Sequence, residues 1–229
     1  MHFSRITPKP GREREAARQG LGSPYAEHQW LWRCFQAPEG SPRDFLFRRF
    51  ETADGLPGFY AVSARAPQSP DTAWQVDSRP YAPELEAGDR LAFELRANPT
   101  VRHGRDDGKS KRHDVVMEAK KKLLAQRGLQ RWADWTGADK PSLAALAEQA
   151  CGHWLTQRAA RLGFELLSCH ADAPIQHGER RSRELQLTTV ELRGELRVTD
   201  AEAFVHTLFN GIGSAKGMGC GLLLVRRLG

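Results

Sequence analysis

The segment RLAFELRANPT, residues 90–100, indicates a β-strand that ends abruptly. Apolar and polar residues alternate from Arg90 to Ala97, which is the period-2 pattern of a strand with one buried face. Asn98 and Pro99 end the strand, because proline has no backbone N–H to donate to a neighbouring strand. The segments that precede this strand indicate which fold it completes.

A strand and a helix are predicted at the start of the chain. Residues 2–7 alternate in character and predict a short strand. A helix is expected from Tyr25 to Gln36, with Ser23 as its N-cap and Pro24 in its first turn. Leu31, Cys34 and Phe35 recur at helical spacing, so one face of this helix should be buried.

A hairpin is predicted next, from residues 43–51 and 58–65 around a turn at Asp54-Gly55. Residues 66–87 are rich in Pro, Asp and Ser and predict a loop. The order is then strand, helix, strand, strand, loop and strand. This order is close to a ferredoxin-like βαββαβ unit whose second helix is reduced.

The second half of the chain again mixes helices with strands. We therefore predict an α+β protein of tandem ferredoxin-like (RRM-like) βαββαβ domains, residues 1–100 and 112–229, with a linker near residues 98–111. The elements expected in this half are helices at 117–127, 143–161 and 200–209, and strands at 164–171, 184–198 and 221–227.

The composition favours an anionic partner. The chain has 34 Lys and Arg against 28 Asp and Glu, a formal net charge of +6, which attracts polyanions by counterion release. No apolar run approaches the ~20 residues that span a bilayer. We expect a soluble, cytoplasmic protein with no membrane partner.

The cysteines predict no disulfide framework and no metal site. They are far apart and form no CxxC pair, so reduced, packed thiols are expected. A zinc site that combines two of them with His153 and His170 is conceivable, but no known ligand spacing supports it. We therefore predict no metal and no cofactor. The four cysteines are Cys34, Cys151, Cys169 and Cys220.

Tyr25 and His28 are candidate catalytic residues. Their spacing of three places both side chains on one face of the first helix. A histidine with a pKa near 6.5 can accept and donate protons at neutral pH. Metal-free RNA cleavage needs this, because the 2′-hydroxyl attacks its own phosphodiester. The alternative is a surface or half-buried histidine with Tyr25 in the core, and spacing alone favours that alternative.

The run GIGSAKGMGCG, residues 211–221, has five glycines in eleven residues. Glycines let a backbone approach a ligand and expose N–H groups that can hold phosphates. The run is neither a Walker loop nor a Rossmann fingerprint. The alternative is a flexible connection between a helix and a strand, but the glycine density favours a phosphate-binding role for Gly213, Ser214, Lys216 and Gly217.

Basic residues in two polar stretches are further candidates for RNA binding, although any such stretch is most often a solvated face. Three lysines at 120–122 are interpreted as a solvated helix face. No strand resembles the aromatic RNP1 motif, so recognition of a single strand on a sheet face is not predicted. The candidate residues are Arg102, Arg105, Lys109 and Lys111 in the first stretch, and Arg180, Arg181 and Arg183 in the second.

Four segments together resemble a known family. They are YAEHQWLW (25–32), RDFLFR (43–48), RLAFELRANPT (90–100) and FNGIGSAKGMGCGLLLV (209–225). The chain resembles the CasE-type (type I-E) CRISPR-associated endoribonucleases of the repeat-associated RNA-binding superfamily, and these segments span nearly all of it.

The resemblance implies two ferredoxin-like domains and cleavage of CRISPR precursor RNA at the base of a repeat stem-loop. The products would be a 5′-hydroxyl and a 2′,3′-cyclic phosphate, formed without a metal. His28 matches the family's catalytic histidine and Tyr25 its active-site tyrosine. The glycine-rich loop would hold the RNA backbone, and residues 176–183 match a loop that reaches toward the stem-loop. Family members often retain the product RNA and join other subunits of a type I-E surveillance complex.

The chain also departs from the family pattern. Residues 128–152 form a longer segment than usual, with Trp132 and Trp135. Gln29 stands where some members carry arginine, and Arg33 could supply positive charge toward the phosphate instead. Two other functions remain open at this point: a non-cleaving RNA-binding scaffold subunit of the same superfamily, and a metal-dependent nuclease.

Overall fold

The computed structural model describes residues 1–38, 40–104, 110–178 and 187–228, which fall into two compact units. The first unit contains Met1–Leu85 and Val205–Leu223, and the second contains Glu86–Phe204 and the residues from Leu224 onward. The first elements are β1 (His2–Pro8), α1 (Glu13–Ala17), α2 (Pro24–Leu31), β2 (Phe45–Glu51), β3 (Pro57–Ser63) and β4 (Trp74–Pro80).

The first sheet has the strand order β2-β3-β1-β4, and each neighbouring pair is antiparallel. This is the order of a ferredoxin-like sheet. Ile6, Phe47 and Phe59 are fully buried on the face that packs against α2, which contributes Trp30 and Leu31. The predicted buried helix face is therefore confirmed. The α-helix ends at Leu31 and continues as a 3-10 turn over Trp32–Cys34.

Strand β4 corrects the prediction of a loop at residues 66–87. It pairs with β1 over its whole length, from His2 opposite Pro80 to Pro8 opposite Trp74. The strand lies at a sheet edge and only its first residue, Trp74, is buried. An edge strand needs no regular apolar alternation, which is why the sequence pattern did not show it.

The second unit repeats the same strand order. Its main sheet runs β11-β5-β10-β8, the ferredoxin-like order with β5 as the first strand of the unit. The predicted α+β fold of two ferredoxin-like units is confirmed. The elements are β5 (Arg90–Ala97), β6 (Thr100–Gly104), β7 (Ser110–Asp114), α3 (Val115–Gln126), α4 (Leu143–Ala159), β8 (Phe164–Ala171), β9 (Ile175–His177), β10 (Leu187–Val198), α5 (Ala201–Asn210) and β11 (Leu223–Arg227).

The position of β5 corrects the expected domain boundary. The prediction placed this strand in the first domain, but it pairs along its whole length with β10 of the second unit. Alternation shows that a strand has a buried face and does not show which sheet it joins. The described residues of the predicted linker near 98–111 are also paired, since Thr100–Gly104 lies antiparallel to Ser110–Asp114.

Two further features belong to the second unit. Trp135 and Trp154 are buried. The pairing of β10 with β8 is irregular between Glu195 and Leu196. Among the described helices, none is both long enough and apolar enough to cross a lipid bilayer.

A substitution at Gly163 tests the packing of the second unit. It follows α4 with φ = 80°, and a Cβ atom there would lie 2.4 Å from the carbonyl oxygen of Asp200 and 2.5 Å from the nitrogen of Phe204. Gly163→Ala should lower the free energy of unfolding by about 2 kcal/mol or more, because backbone must move and a left-handed conformation must hold a side chain. Urea denaturation followed by circular dichroism measures this change.

The matched control is Gly128→Ala in the same unit. Gly128 has a similar φ of 66°, but no atom lies within 4 Å of the added Cβ, so only the conformational cost of about 1 kcal/mol applies. Equal destabilisation by the two variants would contradict the close packing of Gly163 against α5.

Candidate functional site

Helix α2 holds Tyr25 and His28 at the surface of the first unit. Its N-terminus is capped by Ser23, whose Oγ accepts a hydrogen bond from the backbone N–H of Ala26 at 3.2 Å. Tyr25 is 46 % exposed, and its hydroxyl accepts a hydrogen bond from Nε2 of Gln29 at 3.1 Å. The alternative that placed Tyr25 in the core is therefore wrong.

His28 contacts the indole of Trp32, one turn further along the chain. Trp32 Nε1 donates to Nε2 of His28 at 3.3 Å, and the two rings meet edge to face. Because an indole N–H can only donate, Nε2 must be the acceptor, and the neutral ring carries its proton on Nδ1. Nδ1 is buried and has no hydrogen-bond partner among the described residues.

The surroundings of His28 favour its neutral form. Burial lowers the pKa of this imidazole below its usual value of 6.5, and the positive charge of Arg43 lowers the pKa further. A buried Nδ1–H without an acceptor acts in the same direction, because no group stabilises the imidazolium through it. At neutral pH, His28 can therefore accept a proton at Nε2.

Arg43 connects the start of β2 to the glycine-rich loop. Its Nη1 donates to the carbonyl oxygen of Phe45 at 2.6 Å and to that of Lys216 at 3.0 Å. Its guanidinium also lies over the Phe45 ring, 5.8 Å from the centroid. Arg43 was not among the residues predicted to be functional. The signal was present, since Arg43 begins the RDFLFR segment that carried part of the resemblance.

The glycine-rich loop, residues 211–221, lies directly against His28. A Cβ atom added at Gly217 would be 3.6 Å from Cε1 of the imidazole and 3.8 Å from Nδ1. The neighbouring Lys216 donates from Nζ to the carbonyl oxygen of Asn210 at 2.6 Å. Burial lowers the pKa of Lys216, and Arg43 lowers it further. A histidine and two cationic side chains therefore meet at one loop.

The loop backbone departs from ordinary geometry beside these cations. Ala215 has φ = 57°, the only positive φ of a non-glycine residue in the described part of the chain. Side chains rarely occupy this region, and the cost must be met by surrounding contacts. The hydrogen bond from Arg43 to the next carbonyl, that of Lys216, is such a contact.

The structure brings together only some of the predicted residues. Gly213, Ser214, Lys216 and Gly217 belong to the loop beside His28. Arg33 instead pairs with Asp71, Nη2 to Oδ2 at 3.1 Å, which partly neutralises its charge.

The other basic candidates lie elsewhere or outside the described residues. Arg102 is exposed on β6 of the second unit, and Lys111 lies opposite His103 on β7. The predicted RNA contacts Arg105, Lys109, Arg180, Arg181 and Arg183 fall outside the part of the chain that the structure describes.

The cysteines are packed away from this chemistry. Cys34, Cys151 and Cys220 are buried. Burial raises the pKa values of Cys34 and Cys151 to about 12, which keeps these thiols protonated and unreactive. No cluster of three or more His, Cys, Asp or Glu side chains suited to a metal occurs among the described residues.

The fold and the site around His28 together define the class to which this protein belongs. The chain has two ferredoxin-like units, and one of them holds a proton-accepting histidine beside a cationic, glycine-rich loop suited to a phosphate group. Comparison with known proteins identifies the family within this class. The family described as "CRISPR associated protein" matches residues 1–227.

Two relatives and two solved structures agree with this match. The chain is 30 % identical to CRISPR-associated endoribonuclease Cse3 of Thermus thermophilus over 232 residues, covering 92 % of this chain and 93 % of the relative. It is also 30 % identical to the Cascade subunit CasE of Escherichia coli over 205 residues, covering 87 % and 89 %.

Among solved structures, Cse3 bound to a 19-nucleotide RNA has a TM-score of 0.68 at 25 % identity, with 98 % of both chains covered. T. thermophilus Cse3 bound to an RNA that represents a pre-cleavage complex has a TM-score of 0.67 at 26 % identity, with the same coverage. The chain belongs to the CRISPR-associated protein family, among the CasE-type endoribonucleases, as the sequence resemblance predicted.

The effect of Arg43 on His28 can be measured directly. Arg43→Gln should raise the pKa of His28 toward 6.5, because it removes the positive charge that opposes protonation. The remaining effect of burial should keep the value below 6.5. An NMR titration of the His28 ring protons in the free protein measures the shift.

Arg43→Lys is the matched control, since it keeps the charge while removing the guanidinium fork. It should leave the pKa of His28 close to that of the unmodified protein. A His28 pKa that is the same in the Gln variant as in the unmodified protein would contradict the assigned electrostatic role.

Proposed function

We propose that this protein is a metal-independent endoribonuclease that binds the stem-loop of a CRISPR repeat transcript in the cytoplasm and cuts the precursor RNA at the base of the stem. The products would be a 5′-hydroxyl and a 2′,3′-cyclic phosphate. The observation that carries the proposal is the neutral, proton-accepting Nε2 of His28 beside Arg43, Lys216 and the glycine-rich loop.

The first chemical step uses His28 as a general base. The 2′-hydroxyl of the nucleotide before the scissile bond would replace the indole of Trp32 as the donor to Nε2. Transfer of its proton lets the 2′-oxygen attack the adjacent phosphorus, and the bond to the 5′-oxygen then breaks. The imidazolium so formed returns the proton to the leaving 5′-oxygen. Tyr25, exposed one turn before His28, would orient the 2′-hydroxyl.

The second contribution to catalysis is electrostatic stabilisation of the phosphate. Negative charge increases on the phosphate oxygens as the 2′-oxygen attacks. Lys216 and the backbone N–H groups of the loop would lie next to this charge, since a Cβ atom added at Gly217 would be within 4 Å of the His28 ring. Arg43 is a positioning residue here, because its Nη1 is bonded to two backbone carbonyls rather than directed at a ligand.

Retention of the product and assembly with other subunits are part of the same proposal. The relatives include a subunit of Cascade, and a structure described as a CRISPR RNA-guided surveillance complex matches with a TM-score of 0.60 at 25 % identity. We infer that this protein likewise keeps the processed RNA and delivers it to a type I-E surveillance complex.

The second candidate function is a scaffold that binds the RNA without cutting it. Such a protein would need the fold, the positive charge and the glycine-rich loop, but it would not need a histidine whose pKa is lowered. The chemistry of His28 therefore favours the nuclease over the scaffold.

Cleavage by His28 is tested with a stem-loop repeat RNA from the same host, in EDTA. The unmodified protein should cut once at the stem base, and His28→Ala should lower the single-turnover rate by about 10²- to 10⁴-fold while binding persists. Tyr25→Phe should cause a smaller loss. His206→Ala, at an exposed histidine of the same unit, is the control and should cut normally.

Other outcomes assign the function differently. Binding without cleavage by any of these proteins would support the scaffold. Cleavage that EDTA abolishes would support a metal-dependent nuclease. Equal rates for His28→Ala and the unmodified protein would show that the catalytic group lies elsewhere.

A further inference from the structure

The first sheet has a second face, opposite the one that packs against α2. Phe3 and Arg5 of β1, Phe50 of β2, Tyr60 of β3 and Arg79 of β4 lie on it, and we call this set the aromatic–arginine face. The strand register supports this placement, since Arg5 is opposite Tyr60 and Phe3 is opposite Arg79. None of these five residues is buried.

The aromatic rings on this face form one continuous row. Phe3 stacks on Tyr60 with centroids 5.7 Å apart, and Tyr60 stacks on Phe50 at 4.3 Å. Gly58 makes room for this row, because a Cβ atom there would lie 2.5 Å from Cζ of Phe50. The glycine therefore allows the three rings to stack as one row, and they are not isolated aromatic residues on the surface.

Two arginines lie over the ends of the row. The guanidinium of Arg5 is 5.6 Å from the centroid of Phe50, and that of Arg79 is 5.7 Å from the centroid of Phe3. Both arginines are exposed. They line an open depression of about 530 Å³ together with Phe3, Tyr60 and residues of β4. Asp77 is the only acidic residue in this lining, so the depression is positively charged.

The chemistry of this face matches single-stranded RNA. Aromatic rings and guanidinium planes both stack on unpaired bases, while arginine N–H groups donate to the phosphates between them. A protein partner would have to cover two arginine side chains, whereas an RNA strand brings a phosphate for each. An apolar partner therefore fits the face less well than RNA does.

We propose that the aromatic–arginine face binds two or three unpaired nucleotides, and specifically the single-stranded RNA that flanks the repeat stem-loop. The identity of that RNA rests on the proposed function, but binding of a single strand does not. The face is separate from the site at His28. Phe50 lies five residues along β2 from Phe45, the residue beside Arg43, which is about 17 Å in an extended strand.

This site was not predicted from the sequence, because no single strand carries it. An RNP1 motif places several aromatic residues on one strand. Here three strands contribute one ring each, and the ring of Phe50 depends on a glycine in the neighbouring strand. Only the register of the sheet brings the rings into one row.

The test measures binding of fluorescent octa-adenylate RNA to the full chain in EDTA, by anisotropy at several salt concentrations. The double variant Arg5→Gln/Arg79→Gln should bind more weakly and should reduce the slope of log affinity against log salt by about 1.4, since each lost phosphate contact removes about 0.7. Tyr60→Leu should weaken binding about fivefold or more through lost base stacking. Asp77→Asn should strengthen binding.

The matched control is Arg14→Gln/Arg18→Gln, which removes two exposed arginines at α1 of the same unit and should leave octa-adenylate binding unchanged. A short stem-loop that keeps one nucleotide beyond the scissile phosphate, and no other flanking nucleotides, should be cut at the normal rate by Arg5→Gln/Arg79→Gln. Thermal unfolding curves like that of the unmodified protein establish that these variants are folded.

Three results would overturn the inference. The first is octa-adenylate binding that is absent, or that does not depend on Arg5 and Arg79. The second is an equal loss of cleavage on the short stem-loop, which would assign these arginines to the His28 site. The third is normal RNA binding by the double variant together with poorer recovery of partner subunits, which would assign the face to a protein. RNA binding that depends on both arginines, in a protein that fails to cut, would instead refute the proposed function and leave this inference standing.

Discussion

The hydrogen bond from Arg43 to the carbonyl oxygen of Lys216 is the contact on which the candidate site depends. It joins two segments 173 residues apart in sequence and supports a loop that holds Ala215 in a left-handed conformation. Burial lowers the pKa of His28, and the charge of the same arginine lowers this pKa further. One side chain therefore shapes the loop that would hold the phosphate and also helps to keep the imidazole able to accept a proton.

The path of the chain makes this contact possible. The polypeptide completes the first sheet and builds most of the second unit. It then returns, so that Val205–Leu223 packs with the first unit. Gly211 shows how close this return is, since a Cβ atom there would lie 2.8 Å from Cδ1 of Leu46 in β2. Because the loop beside His28 is supplied from the far end of the chain, the site can form only after long-range contacts have formed.

Local sequence patterns predicted the individual helices and strands better than they predicted which sheet each strand joins. Alternation located β5 and helical spacing located the buried face of α2, since both follow from which side chains face a core. The sheet that β5 joins depends on pairing partners that a period-2 pattern does not encode. His28 and the glycine-rich loop were found through resemblance and composition. Arg43 was missed because its role depends on a hydrogen bond to a backbone carbonyl. Every residue has such a carbonyl, so the sequence does not show which one is bonded.

The most direct test of the account is the pH dependence of single-turnover cleavage in EDTA. Because the base must be neutral, the rate should rise with pH along a limb whose midpoint equals the pKa of His28 measured by NMR, below 6.5. The midpoint should move to higher pH in Arg43→Gln. A rate that does not fall as the pH drops through the pKa of His28 measured by NMR, or a limb that stays in place when that pKa moves, would contradict the claim that a neutral His28 starts the reaction.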